Sequence, residues 1–245
     1  MSRLKRLSLL VAGALLVSFA AALAFTRAGP QEPRDEVALF GTIPIYWGEA
    51  ADMQATLRGE AELHWAREVL ERSYDLTPVD TLDAEGLAGK RYLLLAQPRA
   101  LSGSENVALD VWVREGGRVL LFADPLYTGH SEFGIGDRRR PQDVALLSPI
   151  LARWGLALHF DDTANDALHQ RDTPYGSLPI EYAGTLRSAP SEHADADCAF
   201  KAEALIADCS IGQGRALIVA DATLLAEPDG EEALMAMAGQ AFSAD

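Results

Sequence analysis

The stretch RYLLLAQPRALSGSENVALDVWVREGGRVLLFADP, Arg91 to Pro125, sets two short apolar runs on either side of a helical pattern, and few folds accommodate that arrangement. Leu93, Leu94 and Leu95 form a continuous apolar run, as in strands covered on both faces within a parallel sheet, and Pro98 stops it. Ser102 or Ser104 can cap the following helix, with Glu105 in its first turn, where a negative charge suits the helix dipole. Val107, Leu109, Val111, Trp112 and Val113 supply apolar residues to that helix, and Gly116-Gly117 ends it. The second run, Val119 to Phe122, stops at Asp124-Pro125. A strand, helix, strand unit of this kind crosses over right-handed, so the two strands are expected to be parallel neighbours.

The rest of the chain extends the alternation. Val37 to Phe40 reads as a buried strand closed by Gly41, followed by the loop TIPIYWGEA. Leu57, Ala61, Trp65, Val69 and Leu70 recur at helical spacing, predicting an amphipathic helix over Leu57 to Tyr74, and a short strand follows at Leu76 to Val79. After a Gly-, Asp- and Arg-rich loop, Val144 to Trp154 reads as a helix and Leu156 to Phe160 as a strand. Asp161 to Pro174 reads as a polar excursion, Leu217 to Ala220 as a return to the sheet, and Glu231 to Phe242 as a closing helix. These elements predict one α/β domain over residues 37–245, within the usual size of a single domain.

The first 26 residues are of another kind. Arg3, Lys5 and Arg6 precede an uncharged apolar run from Leu7 to Phe25, close to the ~20 residues that span a bilayer as a helix. Two readings compete: an uncleaved single-pass anchor, or a signal peptide cut after Ala22 or Ala24, where small residues stand at A-x-A spacing. Both put the remainder outside the cytoplasm, because the basic residues stay inside. Residues 27–36, RAGPQEPRDE, read as a solvated linker. The expected location is therefore the inner membrane, with the globular domain in the periplasm or outside.

Charge narrows the partners. The chain carries 36 acidic against 21 basic residues, a net of −15, and without its first 24 residues the net is −18. Such a surface repels phosphates, which excludes nucleic acid and anionic lipid headgroups as partners. Two cysteines, Cys198 and Cys209, stand eleven residues apart in a stretch of successive short strands. On two arms of a hairpin they can face each other, and an oxidising compartment favours a disulfide; the competing reading is two reduced, buried thiols.

Ligands of open α/β sheets lie outside the carboxyl ends of the strands near a topological switch point. The loops expected there offer Tyr46, Trp47, Glu49, Gln97, Arg99, Asp124, Tyr127 and His130, a mixture suited to a small ligand or a peptide segment. Against that, Asp124 before Pro125 can simply cap a turn, and Trp47 can close a sheet edge. His159, Asp161, Asp162, Asp166 and His169 gather oxygen and imidazole groups within eleven residues, but at no established metal spacing, so no metal and no cofactor are expected. Asp137 to Arg140, DRRR, is expected to pair with Glu132, Asp137 and Asp143 rather than to grip a partner. Ser102 and Ser104 lack the G-x-S-x-G elbow of a serine hydrolase.

The pattern LLLAQPRALSGSENVALDVWVREGGRVLLFADP, with ALIVADATLL near the end, resembles the extracytoplasmic domain of ABC-type transport auxiliary proteins of the gliding-motility kind, related in fold to class I glutamine amidotransferases. The resemblance implies a three-layer, flavodoxin- or amidotransferase-like, mostly parallel sheet with a late β-hairpin excursion, preceded by one N-terminal transmembrane helix. It further implies a membrane-tethered accessory without catalysis, acting by protein or ligand binding, whose partner is a membrane protein such as an ABC transporter; the competing reading is an exported hydrolase or solute-binding protein that uses the crevice at the carboxyl ends of the strands. The amidotransferases place a catalytic Cys in a sharp turn after a central strand. Neither cysteine of this chain stands in such a turn, so the glutaminase activity is not expected here.

Overall fold

A computed structural model describes residues 34–49, 63–163, 167–191 and 195–243 of the chain. The apolar runs become strands of one seven-stranded sheet: β1 (Asp35–Gly41), β2 (Tyr74–Pro78), β3 (Tyr92–Ala96), β4 (Arg118–Phe122), β9 (Ala196–Lys201), β10 (Ile206–Ile211) and β11 (Gly214–Val219), in the spatial order β2-β1-β3-β4-β11-β10-β9. The first five strands of that order are parallel; β10 pairs antiparallel with β11, and β9 antiparallel with β10. Every residue of β3 and β4 is buried, as the unbroken apolar runs require. The chain is thus an α/β protein with a mostly parallel central sheet, and β1 opens at Asp35, inside the expected linker.

Two sets of helices flank the sheet. Helix α1 (Trp65–Leu70) packs on α5 (Glu231–Phe242), and α2 (Gly103–Arg114) packs on α3 (Ser148–Arg153). From the β1/β3 boundary, β2 is reached in one direction and β4 in the other. Right-handed crossovers then require α1 and α2 to lie on opposite faces, and they make that boundary the switch point. A short helix α4 (Thr223–Ala226) follows β11.

Helix α2 begins as its sequence predicts, with the Ser102 hydroxyl accepting from Glu105 N–H and the Glu105 carboxylate accepting from Ser102 N–H. Its buried side is not the expected one. Leu109 and Val113 are buried together with Glu105, Asn106 and Asp110, whereas Val107 and Val111 are exposed. Asp110 accounts for this, since its carboxylate takes both Arg114 at 3.0 Å and Arg153 at 3.2 Å and carries its helix face inward with it.

Other expectations shift for local reasons. The helix expected over Leu57 to Tyr74 is seen from Trp65 to Leu70; residues 57–62 lie outside the described residues, and Tyr74 opens β2 with its ring edge-on to Phe242. The helix expected from Val144 begins only at Ser148, because Ala145 N–H bonds to Asp124 C=O and holds residues 144–147 against the end of β4; Pro149 then sits in the first helical turn. Leu156–His159 does form a strand, β5, but it pairs antiparallel with β8 (Thr185–Ser188) in a separate two-stranded sheet. The expected excursion contains strand β6 (His169–Thr173), hairpinned to β7 (Gly176–Ile180).

The late hairpin is present. Cys198 on β9 lies directly opposite Cys209 on β10, and the two form a disulfide. A disulfide fits an oxidising, extracytoplasmic compartment. The expected N-terminal span falls on residues 1–26, outside the described residues; among the described residues no helix is long and apolar enough to cross a membrane.

Candidate functional site

The carboxyl ends of β1, β3, β4 and β11 are stitched together by polar side chains. At the end of β1, Gly41 lies so close to β3 that a Cβ there would stand 2.1 Å from Ala96 C=O, so only glycine permits the approach. Thr42 N–H donates to Ala96 and Gln97 C=O, and its hydroxyl donates to Gln97 C=O at 2.5 Å while accepting from Gln142 N–H. Gln97, immediately after β3, is wholly buried and has left-handed backbone geometry (φ 46°), unusual for a residue with a side chain. Its amide nitrogen donates to the carbonyls of Asp124 and Gln142, both at 3.0 Å, and its amide oxygen accepts from Asp124 N–H at 2.8 Å.

Asp124 continues the network one strand further. Its carboxylate accepts from Leu126 N–H (2.8 Å) and, across to the end of β11, from Ala222 N–H (3.0 Å). The β4–β11 register pairs Phe122 with Val219, so Ala123-Asp124 and Ala220-Asp221 leave neighbouring strands in step. Asp221 accepts from Thr223 N–H and hydroxyl and from Glu181 N–H. Burial pushes the Asp124 carboxyl up to about 6, with the Glu181 charge adding to it. Burial, then the charge of Asp124, pushes Asp221 well above the usual carboxylate range. Tyr127 is likewise raised, by burial first and then by Asp124, Glu49 and Asp221.

Over this network lies a cavity of about 570 Å³ at the carboxyl ends of β1 and β2. Tyr46 and Trp47 form part of its wall. Arg67 stacks on the Tyr46 ring at 4.1 Å and donates to Tyr46 C=O, and the Trp47 ring meets Tyr46 edge-on at 4.9 Å while remaining 72 % exposed. Phe133, Arg138 and Arg139 reach in from the loop after β4, and Asp80 from the end of β2. Glu49 holds that loop in place by accepting from Ser131 hydroxyl (2.8 Å) and Glu132 N–H (2.6 Å).

The eight expected site residues therefore divide. Tyr46 and Trp47 line the cavity and Glu49 fixes its rim, whereas Gln97, Asp124 and Tyr127 are buried scaffold. Arg99 is engaged bidentately by Glu105 at 2.7 and 2.9 Å, which holds the Glu105 carboxyl down to about 2. His130 is exposed beside Glu132. Within the DRRR run, Arg139 pairs with Asp137 and Arg140 with Asp143 as expected; Glu132 instead meets His130, and Arg138 lines the cavity. Sequence reasoning missed Thr42, Asp80, Phe133 and Asp221. The last had a legible signal, because LLFAD (120–124) and LIVAD (217–221) end two core strands alike. Among the described residues no three His, Cys, Asp or Glu side chains cluster as metal ligands; His159 and His169 stand on strands of different sheets, and Asp166 lies outside the described residues.

No family model matches the sequence, and no curated protein matches it. Solved structures do share its fold. An exo-β-1,4-mannosidase, Op5Man5, from Opitutaceae bacterium strain TAV5 aligns with 91 % of this chain at a TM-score of 0.53 and 12 % identity. A β-galactosidase from Bacillus circulans sp. alkalophilus aligns with 84 % at 0.47 and 10 % identity, and a putative ThuA-like protein from Bacteroides uniformis with 86 % at 0.42 and 10 % identity. The matched region is 39 % of the mannosidase, 31 % of the galactosidase and 92 % of the ThuA-like chain, so this chain spans well under half the length of the two glycosidases. At these identities the likeness is one of fold.

Proposed function

We propose that this chain is a non-catalytic accessory domain of a transport or cell-envelope complex, held at the inner membrane by its N-terminal segment and acting through protein or ligand binding at the crevice lined by Tyr46 and Trp47. The observation that carries the reading is the end of β4. An amidotransferase-like fold is expected to hold its nucleophile in the turn after a central strand; here that turn offers Ala123, Asp124 and Pro125, none of them such a nucleophile, and the buried Gln97 amide beside it spends both ends on hydrogen bonds to Asp124 and Gln142. The remaining acid candidates nearby, Asp124 and Asp221, are at most 1 % exposed and spend their oxygens on backbone N–H groups. What stays open to solvent is a cavity with an aromatic wall and a charged rim, within the ~300–1,000 Å³ usual for ligand sites.

Assays of the full-length chain with glutamine, nitrophenyl esters and nitrophenyl glycosides should show no turnover above buffer. Turnover that disappears in Gln97→Ala or Asp124→Asn would replace the accessory reading with that of an exported hydrolase.

A further inference from the structure

The cavity carries two charged side chains that have not been neutralised. In this acidic chain the described arginines mostly face carboxylates: Arg67 with Glu71, Arg99 with Glu105, Arg139 with Asp137, Arg171 with Glu203, Arg215 with Asp208. Arg138, flanked by paired arginines on the same loop, has no hydrogen-bond or ion-pair partner among the described residues, and neither has the carboxylate of Asp80. Both line the same cavity, contributed by different elements, and they do not pair with each other. The same cavity is lined by Tyr46, whose ring Arg67 fixes, by the exposed Trp47, and by Phe133, on which Arg139 stacks at 4.1 Å. A purely anionic ligand would meet Asp80, and a purely cationic one would meet Arg138 and Arg139. A molecule carrying one charge of each sign around an apolar body satisfies all of them at once.

Resting on the reading of this crevice as a binding site, we propose that its ligand is a short free peptide with an aromatic or large apolar residue. Arg138 receives the terminal carboxylate, Asp80 receives the terminal ammonium, and the Tyr46–Trp47–Phe133 wall receives the side chain. Arg is suited to the first task because its planar fork matches a carboxylate. An ammonium beside an aromatic wall gains from both Asp80 and the ring faces. The cavity of about 570 Å³ lies within the ~300–1,000 Å³ usual for small-ligand sites, which accommodates a dipeptide. A protein terminus brings one of the two charges; a free dipeptide brings both.

The test is calorimetric titration of the full-length chain in detergent with Phe-Ala, N-acetyl-Phe-Ala, Phe-Ala-amide and Ala-Ala. Saturable binding of Phe-Ala is expected, with about a tenfold loss on acetylation, on amidation or on removal of the aromatic ring, the scale of one charge-assisted contact. Arg138→Ala should bind Phe-Ala as weakly as wild type binds the amide, and should no longer distinguish the two. Asp80→Ala should behave likewise toward the acetylated peptide. Absence of saturable Phe-Ala binding up to about 1 mM, a dissociation constant worth only ~4 kcal/mol, overturns the proposal. So do equal affinities for the three Phe-Ala forms. The peptide comparison on wild type needs no variant and stands even if a substitution unfolds the chain. Cross-linking of a macromolecular partner at position 47 without peptide binding would reject the peptide while leaving the crevice as a binding site.

Discussion

Gln97 shows how much a single side chain organises here. Its amide joins the end of β3 to the carbonyl and N–H of Asp124 and to the carbonyl of Gln142, and the side chain is wholly buried. Gln97→Ala leaves those groups unpaired and should lower unfolding stability by about 2–4 kcal/mol, the range for several buried polar groups left unsatisfied. Gln97→Gly should lose about 1 kcal/mol less, because glycine adopts the left-handed backbone of this residue (φ 46°) without strain. Chemical denaturation of both variants measures the ordering, and a glycine variant less stable than alanine would contradict it. Asp124 and Asp221 give a pH signature. A free Asp holds its proton only below ~3.9, whereas folded Asp124 keeps it to about 6. Between those values the folded state binds more protons than the unfolded one, so this contribution is fully present below the lower value and is lost as pH rises through the upper. Relative to Asp124→Asn, which removes the titrating carboxyl itself, the wild type should lose on the order of 2 kcal/mol of stability between pH 4 and 7. Half-buried His64, whose imidazole desolvation holds down to about 4, contributes the opposite slope, and it cancels in the difference between the two proteins. Parallel pH profiles for wild type and variant would contradict the assignment.

At the scale of elements, the segments legible in the sequence were those whose pattern depends on their own residues. The continuous Leu and Val runs of β3 and β4 meant burial on both faces, the Ser102/Glu105 spacing meant a helix start, and the eleven-residue cysteine spacing fitted the β9–β10 hairpin. The errors came where distant partners decide. The face that α2 buries is set by Asp110 meeting Arg114 and Arg153, and the late start of α3 by Ala145 bonding to Asp124. Strand β5 leaves the central sheet because its partner is β8. The cavity was half visible for the same reason. Tyr46 and Trp47 follow β1 directly, whereas Asp80, Phe133 and Arg138 reach it from elements far apart in sequence. The disulfide clamps the outermost strand, which otherwise holds to the sheet only through β10. Its loss, by reduction or by Cys198→Ser with Cys209→Ser, should cost about 2–3 kcal/mol, as expected for a loop of this length, and should lower the melting temperature equally by either route. A melting temperature unchanged by reductant would contradict the clamp.

For the whole molecule, the oxidised cysteine pair fits an extracytoplasmic compartment, and the chain carries a strong negative charge. Against that charge the rim of the cavity stands out for its unpaired Arg138 beside two exposed or half-exposed aromatic rings. The rest of the strand ends is tied together by the hydrogen-bonded side chains of Thr42, Gln97, Asp124 and Asp221. Binding at this crevice without catalysis is the central claim, and photo-cross-linking tests it most directly. A benzoyl-phenylalanine replaces Trp47 in the full-length chain in its own membranes, with the exposed Arg187 position as control. The account predicts a light-dependent adduct of discrete mass at position 47, absent at position 187 and diminished by Arg138→Glu. No adduct at position 47, or adducts of equal yield at both positions regardless of Arg138, would contradict it.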